Sequence, residues 1–289
     1  MFATLLGALP RPPLPADATP TEVLDAVLEL QAIHGLEPLT AAGWGTWSEA
    51  AARTPHLLKG TLSGPVGGDR PVEAVRLQLD RLIDAGCAWI EIHEPLDGMA
   101  RGEATSSRFA DAHAALTSGI SGVHLSLALT GASADWLGVD ALLAGTYASY
   151  AFDLRDGPDS WRVITRLPGD RGVIAGALTT TVDGDDSPEL LLYAVGYAAS
   201  TGGRGADRVG LSSAGSLGHL DWAEAERKVA RLGEVALLAA ASLDERRAAI
   251  DPRAVDIRSA ALGRYDPPAT RPARSDQSTK SRKSSSPGD

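Results

Sequence analysis

The chain has 289 residues, 44% of them hydrophobic, which suffices for one large domain with a substantial core. Its formal net charge of -10 argues against nucleic acid or an anionic membrane surface as the main partner. The single cysteine, Cys87, excludes an intrachain disulfide and fits a reducing cytoplasm, where we expect the protein to reside. The N-terminal segment lacks a basic region and a long apolar core, so we expect no signal peptide.

Short apolar runs alternate with amphipathic stretches along the chain, which is the pattern of repeated βα units. Eight such units favour a single (β/α)8 TIM barrel over the alternative, an open doubly wound sheet. No GxGxxG motif follows a strand, which weakens the dinucleotide-binding form of that alternative. The predicted strands are Thr4–Leu9, Leu36–Thr40, Leu57–Leu62, Trp89–His93, Gly122–Leu127, Tyr147–Asp153, Gly172–Leu178 and Asp207–Ser212.

Helix boundaries carry their own signals between these strands. Thr19 stands three residues before Glu22, which predicts a capping box at the start of a helix that stops at Gly35. A second helix is predicted over residues 71–85, where apolar residues recur at helical spacing. Asp221 predicts the start of another helix with an acidic version of the capping box.

The C-terminal segment 266–289 differs in composition from the rest of the chain. It is rich in Pro, Ser, Thr, Lys and Arg, and it carries five basic and three acidic residues. Such a segment cannot bury enough apolar surface to offset the entropy of ordering. We therefore predict a barrel over residues 1–265 and a disordered basic tail over 266–289.

Two neighbouring residues end the fourth predicted strand in a position suited to catalysis. A barrel of this type carries its chemistry at the C-terminal ends of its strands. We predict that His93 and Glu94 are catalytic, with His93 as acid or base and Glu94 orienting a cationic group. The alternative is that Glu94 only caps or salt-bridges a neighbouring loop.

The fifth predicted strand carries a polar pair. His124 and Ser126 lie two residues apart, so they share one face, which we expect to line the barrel interior near its mouth. We therefore predict a catalytic role for His124 and a substrate-binding role for Ser126. The alternative for His124 is a core histidine that is satisfied by a hydrogen bond.

Two later strands end in polar residues that we assign to substrate binding. Asp153 ends the sixth strand and is expected to face the mouth. Ser212 and Ser213 begin a small polar stretch after the last strand, and its backbone N–H groups are suited to an anion or carboxylate. The alternative for the serines is an ordinary tight βα loop.

Five segments of the sequence resemble the C-terminal catalytic barrel of cobalamin-independent methionine synthases. Their order and spacing cover roughly residues 3–240, and the Leu-Ser-Gly-Pro-Val and Asp-Ala-Gly-Cys…Glu-Pro segments are the most specific. The segments are Thr4–Arg11, Gly35–Leu39, Lys59–Val66, Asp84–Pro95 and His124–Ser126.

The resemblance implies an enzyme that transfers a methyl group from a folate to the thiol of homocysteine, which zinc holds as a thiolate. The family's zinc ligands are a His and a Cys one residue apart on strand five, a Glu after strand six and a Cys after strand eight. His124 matches the histidine, whereas Ser126, Asp153 and Ser213 stand at the other three positions.

The departures affect the metal site directly. A serine hydroxyl is a poor zinc ligand because it would have to lose a proton of very high pKa. Cys87 cannot compensate, since it starts the fourth strand at the far end of the barrel. We therefore expect no metal site and no zinc, and we predict no other cofactor.

Together, these features predict a divergent methionine synthase-like barrel without zinc. Its expected chemistry is methyl or alkyl transfer, or a lyase reaction, on a small polar substrate. The alternatives are a non-catalytic binding protein on the same scaffold and a genuine 5-methyltetrahydrofolate–homocysteine methyltransferase with a weakened zinc site. We expect neither nucleic acid nor a membrane as partner.

Overall fold

The computed structural model describes residues 1–242 and 244–246, in which eight parallel strands form one sheet. The strand order is β1-β8-β7-β6-β5-β4-β3-β2, with helices between consecutive strands, so the chain folds as a single, nearly closed (β/α)8 barrel, as predicted. The strands are β1 (Phe2–Thr4), β2 (Leu39–Thr40), β3 (Leu58–Ser63), β4 (Trp89–Pro95), β5 (His124–Thr130), β6 (Ser149–Asp153), β7 (Gly172–Leu178) and β8 (Val209–Ser213).

The first and last helices begin where the capping signals place them. Thr19 accepts the N–H of Glu22, and the Glu22 carboxylate accepts the N–H of Thr19, so the predicted capping box is present. Asp221 caps the last helix through the N–H of Glu224, whose carboxylate pairs with Arg227 instead of closing a box. The α-helices of the described residues are α1 (Pro20–Ile33), α2 (Trp47–Ala51), α3 (Val72–Asp84), α4 (Glu103–Thr117), α5 (Val139–Leu143), α6 (Trp161–Ile164), α7 (Pro188–Ser200) and α8 (Trp222–Ala240).

Some predicted strand bounds are confirmed and others are wrong. β7 has the predicted bounds, whereas β6 and β8 begin two residues later than predicted. The predicted strand Thr4–Leu9 is wrong because the pairing of β1 with β8 ends at Thr4 and Gly7 turns the chain with a φ of 79°. The predicted strand Leu36–Thr40 shrinks to its last two residues.

The shift of β5 matters most for the candidate site. Gly122 has a left-handed φ of 77°, so the strand cannot begin there, and it runs on to Thr130. The register with β4 pairs His124 with Trp89, the first residue of that strand. His124 therefore lies at the N-terminal end of the barrel, and the expectation that it lies near the mouth is wrong.

The barrel is weakest at the seam between β1 and β2. No strand ladder joins these two strands within the described residues, and β2 pairs with β3 through only two residues. Hydrogen bonds still cross the seam beside the two strands: the N–H of Glu37 donates to the carbonyl of Ala3 over 2.8 Å, and Thr4 Oγ1 donates to the carbonyl of Pro38 over 2.7 Å.

The barrel interior is lined partly by small residues. Leu6, Ala128, Ala151 and Ile174 form a buried cluster that is separate from the large core between strands and helices. Barrel interiors of this fold are usually filled by bulky branched residues. The two alanines therefore leave room for long polar side chains inside the barrel.

Two of the predicted regions cannot be compared with the structure. The predicted tail over 266–289 and the last part of the predicted barrel segment lie outside the described residues.

Among the residues that the structure describes, no helix has the length and apolar composition needed to cross a membrane.

Candidate active site

β4 carries acidic and histidine side chains on both of its faces. Side chains alternate along a strand, and Trp89 packs against the small cluster inside the barrel. Glu91 and His93 therefore point into the barrel, whereas Glu94 points outward, toward the helices. Consecutive residues of one strand cannot share a face, so His93 and Glu94 cannot act together in one mouth.

The inward face of β4 forms a chain of polar contacts with β3, which we call the inner chain: Lys59, Glu91 and His93. Lys59 Nζ donates to Glu91 Oε1 over 2.8 Å, and His93 Nε2 lies 2.7 Å from the same oxygen. Lys59 and Glu91 are completely buried, whereas the His93 side chain is 21% exposed. Glu91 Oε2 has no hydrogen-bond partner among the described residues.

The charge of Glu91 is determined by its two neighbours, which overcome the effect of burial. Burial alone would raise the pKa of Glu91, but the Lys59 ammonium and the His93 ring lower it to about 2. Glu91 is therefore ionised at neutral pH and can only accept hydrogen bonds. Its contact with His93 consequently assigns a proton to Nε2 and, in the neutral ring, a lone pair to Nδ1.

His93 is the end of the inner chain that solvent reaches. It pairs in register with Ser63, the last residue of β3, so it lies near the C-terminal rim of the barrel. Nδ1 makes no hydrogen bond to any of the described residues. An oriented imidazole with a free nitrogen at this rim can take up and release a proton.

Glu94 belongs to a different set of contacts, which we call the outer chain: Glu94, His113 and Tyr147. Glu94 Oε1 accepts from His113 Nε2 over 3.0 Å, and His113 Nδ1 lies 2.5 Å from Tyr147 Oη. All three side chains are buried, and burial raises the pKa of Tyr147 well above its usual value. The expectation that Glu94 lies at the mouth is therefore wrong, because its strand position turns it toward α4.

The outer chain also explains the Leu-Ser-Gly-Pro-Val motif. Glu94 accepts the N–H groups of Val66 and Gly67, so its carboxylate anchors the loop that follows β3. A Cβ on Gly64 would lie 2.3 Å from that carboxyl group. The loop wraps so closely around Glu94 that the motif has a structural role, which agrees with the alternative considered for Glu94.

His124 and Ser126 lie on β5, beside the N-terminal part of the inner chain: Ser126 pairs in register with Glu91, and His124 pairs with Trp89. The His124 ring lies 3.9 Å from that of Trp89, and its Nε2 is 2.8 Å from Ser149 Oγ. Burial lowers the pKa of His124, an effect that the charge of Glu91 partly offsets. Ser126 Oγ accepts from Trp89 Nε1 over 3.0 Å. These contacts fit the alternative of a satisfied core histidine.

Asp153 lies at the predicted end of β6, where it organises loops. Its carboxylate accepts the N–H groups of Gly131, Arg155 and Asp156 over 2.9–3.0 Å. Burial raises the pKa of Asp153, although these three hydrogen bonds oppose the shift. Its role in substrate binding stays a prediction.

The two serines of β8 have different surroundings. Ser213 Oγ accepts the N–H of Leu6 over 3.2 Å and so joins β8 to the chain that follows β1. Ser212 is buried, and its Oγ has no partner among the described residues. Neither contact tests the predicted substrate-binding role of these residues, which stays a prediction.

The positions that match the family's zinc ligands do not come together. His124 is the first residue of β5, and Asp153 is the last residue of the adjacent strand. Because Ser126 pairs with Ser149, His124 and Asp153 are six residues apart in register, which is about 20 Å along the strands. No group of three His, Cys, Asp or Glu residues in the described part of the chain could hold a metal ion. These donors do not fit zinc.

Sequence reasoning missed Lys59 and Glu91. Glu91 stands two residues before His93, so alternation alone places both on one face of a strand. Lys59 lies inside a buried strand, where a lysine is rare unless it is paired with an acidic group. A lysine and a glutamate inside apolar strand sequences were therefore the signal that could have predicted a buried ion pair.

Solved structures with this fold include a methionine synthase and a putative methionine synthase. A B12-independent methionine synthase from Shewanella sp. W3-18-1 superposes with a TM-score of 0.66 and 11% identity, over 82% of this chain and 97% of that chain. A putative vitamin-B12 independent methionine synthase from Listeria monocytogenes gives a TM-score of 0.61 and 12% identity, over the same shares. At such identities the likeness shows the fold alone. The sequence matches no family model and no curated protein.

Proposed function

We propose that the protein is an enzyme in which His93 acts as general acid or base at the barrel mouth, on a small polar substrate and without zinc. The observation that carries this proposal is the inner chain, in which buried Glu91 orients a partly exposed imidazole. A neutral His93 accepts a proton on Nδ1, and ionised Glu91 stabilises the imidazolium that results. The same ring then returns the proton to the leaving group or product.

The reaction class that we propose is methyl or alkyl transfer, or elimination by a lyase. Solved structures that share this fold include a B12-independent methionine synthase and a putative one, and the transfer reaction is proposed by analogy with that scaffold. The donor set does not support zinc, so we propose that the substrate is activated by proton transfer. Small-molecule binding, rather than nucleic acid or membrane binding, agrees with the net charge of -10.

Zinc analysis tests the first alternative, a genuine zinc methyltransferase. Protein purified without chelators is analysed for zinc by mass spectrometry, before and after incubation with zinc and removal of the excess. We expect far less than one zinc per chain in both samples, because the donors lie at opposite ends of the barrel. About one zinc per chain would refute the zinc-free proposal.

A ligand panel tests the second alternative, a non-catalytic binding protein. Homocysteine, methionine and small hydroxy and keto acids are screened by thermal shift against the wild type, His93→Gln and His124→Gln. We expect a shift that His93→Gln abolishes and the matched control His124→Gln retains, because His124 lies at the far end of the barrel. Loss of the shift only in His124→Gln would overturn the proposed site.

Catalysis is then separated from binding by isotope exchange. Any ligand that shifts the melting temperature is incubated with the protein in heavy water and followed by NMR. General acid–base chemistry predicts His93-dependent incorporation of deuterium into the ligand or formation of a new product. Binding without either change would favour the non-catalytic alternative.

A further inference from the structure

Lys59 is a buried cation that bridges non-adjacent parts of the barrel. Its Nζ donates to the carbonyl of Leu5 over 2.6 Å and to Glu91 Oε1 over 2.8 Å. Lys59 belongs to β3 and Leu5 follows β1, with the short β2 between them. The side chain therefore spans the seam at which β1 and β2 lack a ladder.

The ammonium and the imidazole converge on the same carboxylate oxygen. Lys59 Nζ and His93 Nε2 both contact Glu91 Oε1, while Oε2 has no partner among the described residues. The direction in which the carboxylate meets His93 therefore depends on where Lys59 is held. The carbonyl of Leu5 is the second acceptor that holds the Lys59 ammonium in place.

We propose that Lys59 is a positioning residue for His93 and acts on it through Glu91. Lys59 keeps Glu91 ionised and oriented, so that the neutral His93 ring holds its proton on Nε2 and leaves Nδ1 free. The purpose of this arrangement rests on the function proposed above. The coupling itself is a property of the inner chain and can be measured without a substrate.

The charged groups around the inner chain determine the expected effect. Glu91 faces Lys59 on β3 and His93 on its own strand, and its charge also reaches His124 on β5. Asp153 is the acidic group at the end of β6. Removal of the ammonium leaves Glu91 without its buried counter-charge, so the negative environment should favour protonation of His93.

The experiment follows the histidine rings by NMR. Protein labelled with 15N at histidine is titrated from pH 4 to 9, and His93→Gln identifies the His93 resonances. In the wild type we expect the Nε2–H tautomer. In Lys59→Met we expect the His93 midpoint to rise by about one pH unit, while exposed His219 serves as an internal reference that does not move.

A second background separates action through Glu91 from any direct effect. In Glu91→Gln the carboxylate is absent, so adding Lys59→Met should move the His93 midpoint by less than about 0.3 pH unit. An equal shift in both backgrounds, or no shift in either, would overturn the proposal. The double variant also removes both buried charges, which protects the fold.

The role of Lys59 can still be tested if the single variant Lys59→Met does not fold. Lys59→Gln keeps a donor for Leu5 and carries the same expectation for His93. Should both single variants unfold, two links are read separately. Lys59 acts on Glu91 if the double variant Lys59→Met with Glu91→Gln folds where Lys59→Met does not, and Glu91 acts on His93 if the His93 midpoint is lower in Glu91→Gln than in the wild type. A shift of about one pH unit on adding Lys59→Met to Glu91→Gln, or the absence of either link, refutes the proposal.

The outcomes for Lys59 and for the proposed function are distinguishable. Absence of coupling would leave the ligand and deuterium tests of His93 standing. Intact coupling together with failure of those tests would show that His93 is positioned for something other than the proposed chemistry.

Discussion

β4 separates two chains of carboxylate and histidine that are built on the same principle but differ in completeness. In the outer chain, both oxygens of Glu94, both ring nitrogens of His113 and the Tyr147 hydroxyl have partners, and nothing is exposed. In the inner chain, one Glu91 oxygen has no partner among the described residues and the ring of His93 reaches solvent.

The difference assigns the two chains different roles. A fully satisfied buried network rigidifies the structure and specifies one packing arrangement. A buried network with an unpaired oxygen and an exposed end stabilises the fold less well, and such exceptions occur at functional sites. The outer chain therefore holds the loop after β3 in place, and the inner chain orients His93 toward solvent at the rim of the barrel.

The largest expected effect comes from breaking the outer chain. Glu94→Ala leaves the N–H groups of Val66 and Gly67 and the His113 ring without their acceptor. We expect the free energy of unfolding, measured by urea denaturation, to fall by about 3–5 kcal/mol. The control Glu226→Ala removes an exposed carboxylate of α8 and should change it by less than about 0.5 kcal/mol. If Glu94→Ala and Glu226→Ala lower the free energy of unfolding equally, the outer chain has no special structural role and does not differ from the inner chain in this way.

The second prediction concerns acid stability and the inner chain. The folded state lowers the pKa of Glu91 from 4.5 to about 2, so its stabilisation is complete above about pH 4.5 and is lost as the pH falls toward 2. We expect the wild type to exceed Glu91→Gln in stability by on the order of 2–3 kcal/mol at pH 6, with the difference shrinking toward pH 2.5. The free energies of unfolding are measured by urea denaturation. If the difference between the wild type and Glu91→Gln does not change with pH, the ion pair of Glu91 with Lys59 does not stabilise the folded state.

The third prediction tests how tightly the loop wraps around Glu94. Gly64→Ala places a methyl group 2.3 Å from the Glu94 carboxyl group, which must move. We expect a loss of about 1–3 kcal/mol in the free energy of unfolding. Gly196→Ala is the matched control, because its added methyl group meets nothing within 4 Å and lies within α7. It should be neutral or raise stability by up to about 1 kcal/mol.

The smallest expected effect on stability belongs to His93. His93→Gln removes a partly exposed ring whose place water can take, so the free energy of unfolding should change by less than about 1 kcal/mol. A loss as large as that of Glu94→Ala would show that both chains are structural, and the proposed site would then be wrong.

The sequence predicts the barrel because the signals for it are local. The alternation of apolar runs and amphipathic helices, the capping box of Thr19 and the bounds of β7 all follow from near neighbours in the chain. The candidate site was predicted less well. His93 stays the candidate acid or base at the rim, whereas His124 proved to lie at the opposite end, because strand ends depend on pairing with other strands.

The sequence by itself determined the order of strands and helices, the end of the barrel at which chemistry is expected and the poor match to zinc ligands. Only the tertiary structure decided which side chains of β4 point into the barrel and which point toward the helices. It also brought Lys59 to Glu91 across 32 positions of sequence. Register and side-chain direction arise from contacts between distant segments, and a one-residue shift turns an inward side chain outward.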